Sequence, residues 1–310
     1  MELTLKTRLG ERGWKVQEER ERLEGLRAQH LVETEWLAEQ IAAGNQNLRV
    51  VDMRGYVKTQ TEHDGYQTAD YLGARKEYLE AHIPGAVYLD WTTDIVDTDD
   101  LVPAQVAGAE RIANILEESG IGDDTLIVAY DAHPASQLAT RLWWVLRYYG
   151  NTNVRVLNGG WAKWLKEGRP TTAEVPIFPK TTFTPRPQLH WRMTAQEVLE
   201  NLANPQIDLL DARDEGQYTG RIRRGKYGGH IPGARHLPRE AFFTVENTFQ
   251  SVEAIAETVG ECGVDPTKRV VAYCNGGVAA TSVLFALSML GYTDLTNYDG
   301  SWNEWGQRDD

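Results

Sequence analysis

The chain contains 310 residues, of which 41% are hydrophobic and 25% are charged, as in globular proteins that bury a sizeable core. Its formal net charge of -13 argues against a broad phosphate-binding surface, because affinity for nucleic acid depends on a basic footprint. No apolar run reaches membrane length, and two cysteines are too few for a disulfide framework or a four-cysteine zinc site. We therefore expect a cytoplasmic protein with no metal, membrane or nucleic-acid partner, in which a lone thiol stays reduced.

Residues 1–30 mix acidic and basic side chains and lack the apolar core of a secretion signal. They are predicted to form a solvated helix or a frayed arm, with a partner-binding helix as the alternative. Residues 31–167 then alternate short apolar runs, at 48–52, 126–130 and 154–158, with amphipathic segments closed by glycine. Such alternation of strands and helices indicates an α/β domain with a mainly parallel sheet.

Five prolines interrupt residues 168–192, where they prevent helix formation and break the ladders of a sheet. We interpret this segment as an extended linker that wraps one domain onto the other. A second domain is predicted over residues 193–310, beginning with a helix whose N-cap is Thr194. Its stretches "RVVAYC" and "AATSVLFALSMLG" again place a strand before a helix.

Four motifs occur twice in the same order along the chain. The pairs are "LRVVDMR" and "IDLLDAR", "AHIPGAVYLDW" and "GHIPGARHLPR", "LIVAYD" and "RVVAYC", and "LNGGWAKW" and "YDGSWNEWG". Because whole motifs recur in a fixed order, they indicate duplication of a domain of roughly 120 residues rather than a short solenoid repeat.

Cys274 ends an apolar strand and is followed by two glycines and a helix-forming run. Ligands of open α/β sheets gather beyond the carboxyl ends of the strands. The first amides of a helix lack intrahelical partners and glycines allow close approach, so we predict a cradle of amide donors around the sulfur. That field favours the thiolate over the thiol and makes Cys274 a candidate nucleophile. The alternative is a buried structural cysteine, which is our interpretation of Cys262 at a helix end.

Cysteine-dependent phosphatases use a similar strand, loop and helix. They need an arginine six positions after the nucleophile to clamp the phosphoryl oxygens. The residue at that position is Ala280, so hydrolysis of phosphate esters is disfavoured and stays only a third hypothesis.

Together, the tandem copies, the paired "HIPGA" elements, the "YCNGGVA" loop and the closing "YDGSWNEWG" resemble the two-domain rhodanese family over residues 31–306. That family contains thiosulfate and 3-mercaptopyruvate sulfurtransferases. The resemblance implies two tandem rhodanese-like α/β domains, each a mainly parallel sheet flanked by helices. It also implies that the Cys274 thiolate takes a sulfane sulfur from thiosulfate or 3-mercaptopyruvate and becomes a persulfide.

The persulfide would then pass its sulfur to cyanide, a small thiol or a reduced thioredoxin-like protein, without a metal or an organic cofactor. The alternative function is a carrier that loads a persulfide once and serves a protein partner without turnover. In the first copy, Asp131 stands where the second has Cys274. A carboxylate cannot carry sulfane sulfur, so the resemblance implies that the N-terminal domain is the inactive half. A general-base role for Asp131 is the alternative.

His82 and His230 occur in the paired "HIPGA" stretches of both copies, which favours a structural role for each. In mercaptopyruvate enzymes, the first of these histidines is thought to join a serine two places after the catalytic cysteine. Gly276 occupies that place here, so the serine relay is absent.

The resemblance also implies a set of substrate-binding residues: Asn275, Gly276, Gly277, Val278, Ala279, Gln217, Arg224 and Lys226. Gln217 replaces a family arginine that holds the anionic group of the donor, and an amide cannot supply positive charge. We hypothesise that one or more bases of the following run supply it, with a solvated surface loop as the alternative: Arg221, Arg223, Arg224 and Lys226. The neutral Asn275 and Gly276 favour mercaptopyruvate, whereas the missing serine disfavours it, so the donor stays open.

Overall fold

Each half of the chain forms a sheet of five parallel strands in the computed structural model, which describes residues 17–309. The first sheet has the order β1-β7-β6-β2-β5 and contains β1 (Leu31–Val32), β2 (Leu48–Asp52), β5 (Ala86–Tyr88), β6 (Leu126–Tyr130) and β7 (Val154–Leu157). The central strands β2 and β6 are short apolar runs rich in Val, Ile and Leu, as expected for strands covered on both faces.

The second sheet repeats the first, strand by strand. Its order is β8-β12-β11-β9-β10, with β8 (Arg192–Met193), β9 (Ile207–Asp211), β10 (Arg235–His236), β11 (Arg269–Tyr273) and β12 (Leu295–Tyr298). The prediction of an α/β fold with two mainly parallel sheets is therefore confirmed.

Helices flank both sheets. They are α1 (17–30), α2 (Thr34–Ala42), α3 (Arg75–Glu80), α4 (Ala109–Glu118), α5 (Gln137–Tyr148), α6 (Gly160–Lys166), α7 (Ala195–Glu200), α8 (Glu215–Tyr218), α9 (Val252–Cys262), α10 (Ala280–Met289) and α11 (Ser301–Trp305), with 3-10 turns at Leu189–Trp191 and Arg239–Phe242. Thr194 caps α7 as predicted, since its side chain accepts the Glu197 amide in a capping box. Within residues 17–309, no helix has the length and apolar character needed to cross a membrane.

Helices α5 and α10 pack against each other where the two halves meet. Every residue of α10 is buried, as is typical of a helix enclosed on all sides. The Thr140 hydroxyl of α5 lies 2.9 Å from the Thr281 hydroxyl and 3.1 Å from that of Ser282. Because α5 follows β6 and α10 follows β11, this contact brings the equivalent strand ends of both sheets to one interface.

An antiparallel hairpin, β3 (Gly55–Thr61) and β4 (Gln67–Gly73), was not predicted from the sequence. Its strands are largely polar and exposed, so they lack the apolar signal of the sheet strands. The hairpin leaves its own half and contacts the other: the Gln67 amide donates to the Arg223 carbonyl and the Arg223 amide donates to the Gly65 carbonyl, both at 2.8 Å.

The N-terminal segment also contacts the C-terminal half. Residues 1–16 of the predicted arm lie outside the described residues, as does Asp310 at the other end. From α1, Arg27 donates to the Gln250 carbonyl at 2.7 Å and Arg20 pairs with Glu253 at 3.1 Å. Residues 168–188 form neither helix nor strand apart from one bridge between Thr172 and His82.

Candidate active site

Cys274 follows the last residue of β11 and borders a cavity of about 200 Å³. Its side chain is buried among apolar neighbours, yet the cavity reaches it from the cleft between the two halves. The N-terminal half supplies seven of the lining residues: Val57, Thr59, Gln67, Tyr71, Trp91, His133 and Gln137. Of the predicted loop residues, four line the cavity: Asn275, Gly276, Val278 and Ala279.

The backbone of the Cys274 loop (residues 274–279) is held by the start of α11. The amides of Cys274 and Gly277 both donate to the Ser301 hydroxyl, at 3.0 and 2.9 Å. The Trp302 amide donates to the Cys274 carbonyl at 3.1 Å, and the Asn303 amide donates to the Asn275 carbonyl at 2.7 Å.

The remaining amides of the loop have no acceptor among the described residues: those of Asn275, Gly276, Val278 and Ala279. The predicted cradle therefore needs a correction, because within residues 17–309 no amide donates to the Cys274 sulfur itself. The unpaired amides belong instead to residues that line the cavity, and successive backbone amides of this kind can bind an anion.

Gly277 does not line the cavity, which corrects its predicted role as a substrate contact. It shapes the backbone of the loop instead. Its φ of +68° is in the left-handed region, and a Cβ there would lie 2.6 Å from the Asp299 carbonyl oxygen. Its carbonyl accepts hydrogen bonds from Arg141 at 3.0 Å and from Asn297 at 2.9 Å. Both polar groups of Gly277 are thus engaged by protein.

Gln217 connects the Cys274 loop to the hairpin through a chain of amides. The Asn275 side chain donates to the Gln217 carbonyl oxygen at 2.9 Å, and the Gln217 amide donates to Gln67 at 2.8 Å. The Gln67 amide then donates to the Thr61 hydroxyl at 2.9 Å. Gln217 lines the cavity, and its main contacts orient Asn275.

Two arginines and one acidic residue, Asp214, line the cavity, and one of the arginines, Arg239, also pairs with Glu240 at 2.8 Å. Arg224 lines the cavity beside Tyr71, whose hydroxyl lies 3.5 Å from an Arg224 nitrogen, and Arg239 lines it near His133. Burial, together with the charge of Arg239, lowers the pKa of His133 to about 4, so this imidazole is neutral at pH 7.

Lys226 lies outside the cavity, which corrects its predicted place in the substrate site. Its ammonium pairs with Asp309 near the C-terminus of the described chain. Arg223 pairs with Asp64 of the hairpin at 3.3 Å and also does not line the cavity.

The sequence profile described as rhodanese-like domain matches residues 33–167 and again residues 194–308. The chain belongs to the rhodanese family. Among its relatives, thiosulfate sulfurtransferase of Mus musculus is 35% identical over 289 residues, covering 90% of this chain and 92% of the mouse protein. The sulfur carrier protein TtuD of Thermus thermophilus is 33% identical over 242 residues, covering 74% of this chain and 84% of TtuD.

Two solved structures with the same fold are similar to this chain. SseA from Escherichia coli, a 3-mercaptopyruvate sulfotransferase, is 27% identical with a TM-score of 0.74, covering 88% of this chain and 98% of SseA. A cysteine-persulfide form of EanB with ergothioneine is 26% identical with a TM-score of 0.73, covering 89% of this chain and 68% of EanB. With sulfurtransferase relatives over nine-tenths of its length, this rhodanese is a sulfurtransferase.

In the N-terminal rhodanese-like domain, Asp131 occupies the strand end equivalent to Cys274. Its carboxylate accepts the backbone amides of His133, Leu138 and Ala139 at 2.7–3.0 Å. Burial raises the pKa of Asp131 to about 7, against the opposing effect of these hydrogen bonds. The segment after Asp131 contains no glycines, yet the carboxylate still finds amide donors in the loop and in the first turn of α5.

The two "HIPGA" histidines make the same local contacts in both rhodanese domains. His82 stacks on Tyr78 with ring centroids 4.0 Å apart and contacts the Tyr78 carbonyl at 2.7 Å. His230 stacks on Tyr218 at 3.9 Å and contacts the Tyr218 carbonyl at 2.9 Å. Neither lines the Cys274 cavity, which agrees with the structural role predicted from their duplication.

Arg239 is the cavity residue that sequence analysis missed most clearly. It ends the second "HIPGA" motif, at the position that Trp91 holds in the first, and both side chains line the cavity. The repeated motif therefore contained the information that Arg239 and Trp91 occupy equivalent positions. Equivalent positions of the two copies face one cleft, but the sequence does not reveal that the two copies pack around it.

Proposed function

We propose that this sulfurtransferase carries sulfane sulfur as a persulfide on Cys274, taken from a small anionic donor, thiosulfate or 3-mercaptopyruvate. The observation that carries the proposal is the position of the thiol. Cys274 borders a cavity that combines two guanidinium groups with four backbone amides left unpaired within the described chain. Similar rhodaneses named for thiosulfate and for 3-mercaptopyruvate, and the persulfide form of EanB, support this chemistry.

The loading step is a nucleophilic substitution at sulfur. The Cys274 thiolate attacks the outer sulfur of thiosulfate, a new S–S bond forms, and the old S–S bond breaks so that its electron pair leaves with sulfite. With 3-mercaptopyruvate, the C–S bond breaks instead and the carbon fragment leaves as pyruvate after protonation. In the unloading step, cyanide or a thiolate attacks the terminal sulfur and Cys274 leaves as the thiolate.

The charge of the donor determines where it binds. Arg224 and Arg239 would pair with the sulfonate or carboxylate group, which supplies the charge that Gln217 lacks. His133 adds no charge, since its pKa is lowered to about 4 by burial and by Arg239. Asn275, Gly276, Val278 and Ala279 would offer their amides to the negative charge that remains on the transferred sulfur.

A persulfide carrier without turnover is the second candidate, and the similarity to the sulfur carrier protein TtuD favours keeping it. A carrier would use the same Cys274 chemistry but would release sulfur only to a protein partner. The acceptor, whether cyanide, a small thiol or a thioredoxin-like protein, and the cytoplasmic location are likewise proposals. Cell fractionation tests the location.

The deciding experiment compares steady-state turnover of thiosulfate and 3-mercaptopyruvate with cyanide, using Cys274→Ser as the inactive control and Cys262→Ser as the matched thiol control. We expect turnover with at least one donor, its loss in Cys274→Ser and its retention in Cys262→Ser. Intact mass after donor exposure should show one extra sulfur only where Cys274 is present. Loading without turnover would favour the carrier, and full activity of Cys274→Ser would refute both.

A further inference from the structure

Ser301 has a backbone conformation that L-residues rarely adopt. Its φ is +50° and the residue is fully buried at the start of α11. The equivalent residue of the N-terminal domain is Gly160, whose φ is also +50°. A Cβ on Gly160 would lie 2.4 Å from the Asp131 carbonyl oxygen. Both domains therefore use a left-handed residue here, but only the domain with the cysteine places a side chain on it.

The Ser301 hydroxyl uses all of its hydrogen-bonding capacity on the backbone. It donates its proton to the Tyr298 carbonyl at 2.7 Å. Its oxygen can then only accept from other groups, and it takes the amides of Cys274 and Gly277. These two amides lie at the first and fourth positions of the Cys274 loop, so one hydroxyl fixes the loop at two separate points.

The two domains engage their loop amides in different ways. In the N-terminal domain the Asp131 carboxylate binds the loop amide of His133 and the Leu138 and Ala139 amides in the first turn of α5, and none of these three stays available to a ligand. In the C-terminal domain Ser301 binds two amides from outside the loop. The amides of the four cavity-lining loop residues, Asn275, Gly276, Val278 and Ala279, stay unpaired within the described chain.

We propose that Ser301 is a positioning residue for sulfur transfer: its hydroxyl holds the Cys274 loop in the shape that leaves four amides ready for the anionic sulfur. The proposal rests on the persulfide function of Cys274 given above. Because the loop contains Gly276 and Gly277, it can change shape at little energetic penalty once it is released. The hydroxyl prevents that change before the donor binds, so the amides need not reorganise during the reaction. Holding the loop in this way would explain why Ser301 keeps an unfavourable backbone conformation at a functional site.

Ser301→Gly gives the sharpest test, because glycine adopts a φ of +50° without strain and already stands at the equivalent Gly160. Two quantities are measured: the pH midpoint of Cys274 alkylation by iodoacetamide, followed by peptide mass, and the rate of persulfide formation with thiosulfate. We expect the midpoint to rise by about one pH unit and the loading rate to fall about tenfold, the loss that corresponds to roughly one charge-assisted hydrogen bond. The melting temperature should stay within a few degrees of the wild type.

Two further variants separate positioning from folding. Ser301→Ala removes the hydroxyl but keeps the Cβ, and should show the same changes with a lower melting temperature than Ser301→Gly. Ser288→Ala removes another buried hydroxyl, which donates to the Phe285 carbonyl in α10 and does not contact the loop; it should leave the alkylation midpoint and the loading rate unchanged.

If Ser301→Gly and Ser301→Ala keep the alkylation midpoint and the loading rate of the wild type, Ser301 does not position the loop. A wild type that fails to load sulfur would instead refute the proposed function, and the alkylation midpoint would still decide the role of Ser301.

Discussion

At the scale of single residues, Arg239 is the side chain on which the proposed binding of an anionic sulfur donor most depends. Its side chain lines the cavity opposite the N-terminal half, and its Nε is buried without a partner among the described residues. A buried guanidinium nitrogen with no acceptor is unfavourable unless a bound anion supplies one. One Nη of Arg239 pairs with Glu240 at 2.8 Å, which leaves Nε for the anionic group of the proposed donor.

We expect Arg239→Gln to raise the KM for the donor by roughly tenfold to a hundredfold, because a hydrogen bond to a charged group contributes about 1.5–3 kcal/mol to binding. The matched control is Lys226→Gln, which removes the same charge from the same domain at a residue paired with Asp309 outside the cavity. Its KM should stay within twofold of the wild type. Steady-state kinetics with the preferred donor measures both, and equal effects of the two variants would contradict a specific role for Arg239.

At the scale of secondary-structure elements, the β3–β4 hairpin and α1 both cross from one half to the other. The hairpin brings Gln67 and Tyr71 to the cavity and links to the Cys274 loop through Gln217. Helix α1 ends in His30, whose ring lies edge-on to Trp143 of α5 and Phe285 of α10, with centroids 6.1 and 6.0 Å away. One element therefore contributes to the cavity and the other stabilises the contact between the two helices behind it.

The position of His30 makes stability depend on pH. Burial first, and then the charges of Arg147 and Arg155, lower the pKa of His30 to about 4. An unfolded histidine binds its proton near pH 6.5, so the unfolded state takes up more protons between these values. The lowered pKa of His30 therefore does not affect the free energy of unfolding above about pH 6.5. As the pH falls toward 4, the folded state loses stability relative to the unfolded state, by about 2 kcal/mol at pH 5.

We expect His30→Phe to keep the aromatic contacts and to remove this acid sensitivity. Urea unfolding at pH 7.5 and pH 5 should show that the wild type loses about 2 kcal/mol more than the variant between the two conditions. His63→Phe, at an exposed site of the hairpin turn, is the control and should behave like the wild type. Identical pH dependence of wild type and His30→Phe would show that His30 carries no such linkage.

At the scale of the whole molecule, a buried ion pair joins the halves directly behind the Cys274 loop. Arg141 of α5 contacts Asp299 at 2.6 Å with both side chains fully buried, and it also donates to the carbonyls of Gly277 and Ala104. Asp299 in turn accepts the Val106 amide of the N-terminal half at 2.8 Å. The N-terminal half therefore holds the Cys274 loop of the C-terminal half from behind.

We expect Arg141→Met to lower the free energy of unfolding by about 3 kcal/mol, since it removes the closer of the two cations that pair with the buried Asp299 carboxylate and leaves only Arg192, at 3.5 Å. The matched control is Arg223→Met, which breaks an exposed pair with Asp64 between the same two halves and should change stability by less than about 1 kcal/mol. Chemical denaturation measures both. Adding Asp299→Asn to Arg141→Met should recover part of the loss, and no recovery would exclude an unpaired charge as its cause.

The sequence by itself determined the features that depend on neighbouring residues. Strands such as β6 and β11, the cap at Thr194, the duplication, and the cysteine between a strand end and two glycines all follow from local patterns. Four of the five predicted loop contacts border the cavity for the same reason, because residues next to Cys274 cannot lie far from it.

Only the tertiary structure decided which distant residues meet at that loop. Arg239 was found and Lys226 was excluded because the cleft forms between two packed halves, and no local pattern encodes which surface of each half faces it. The role of Ser301 likewise depends on a hydrogen bond between residues 27 positions apart. Local preferences act over a few residues, whereas packing of α5 on α10 brings together groups that are far apart along the chain, and the chemistry of the cavity depends on those groups.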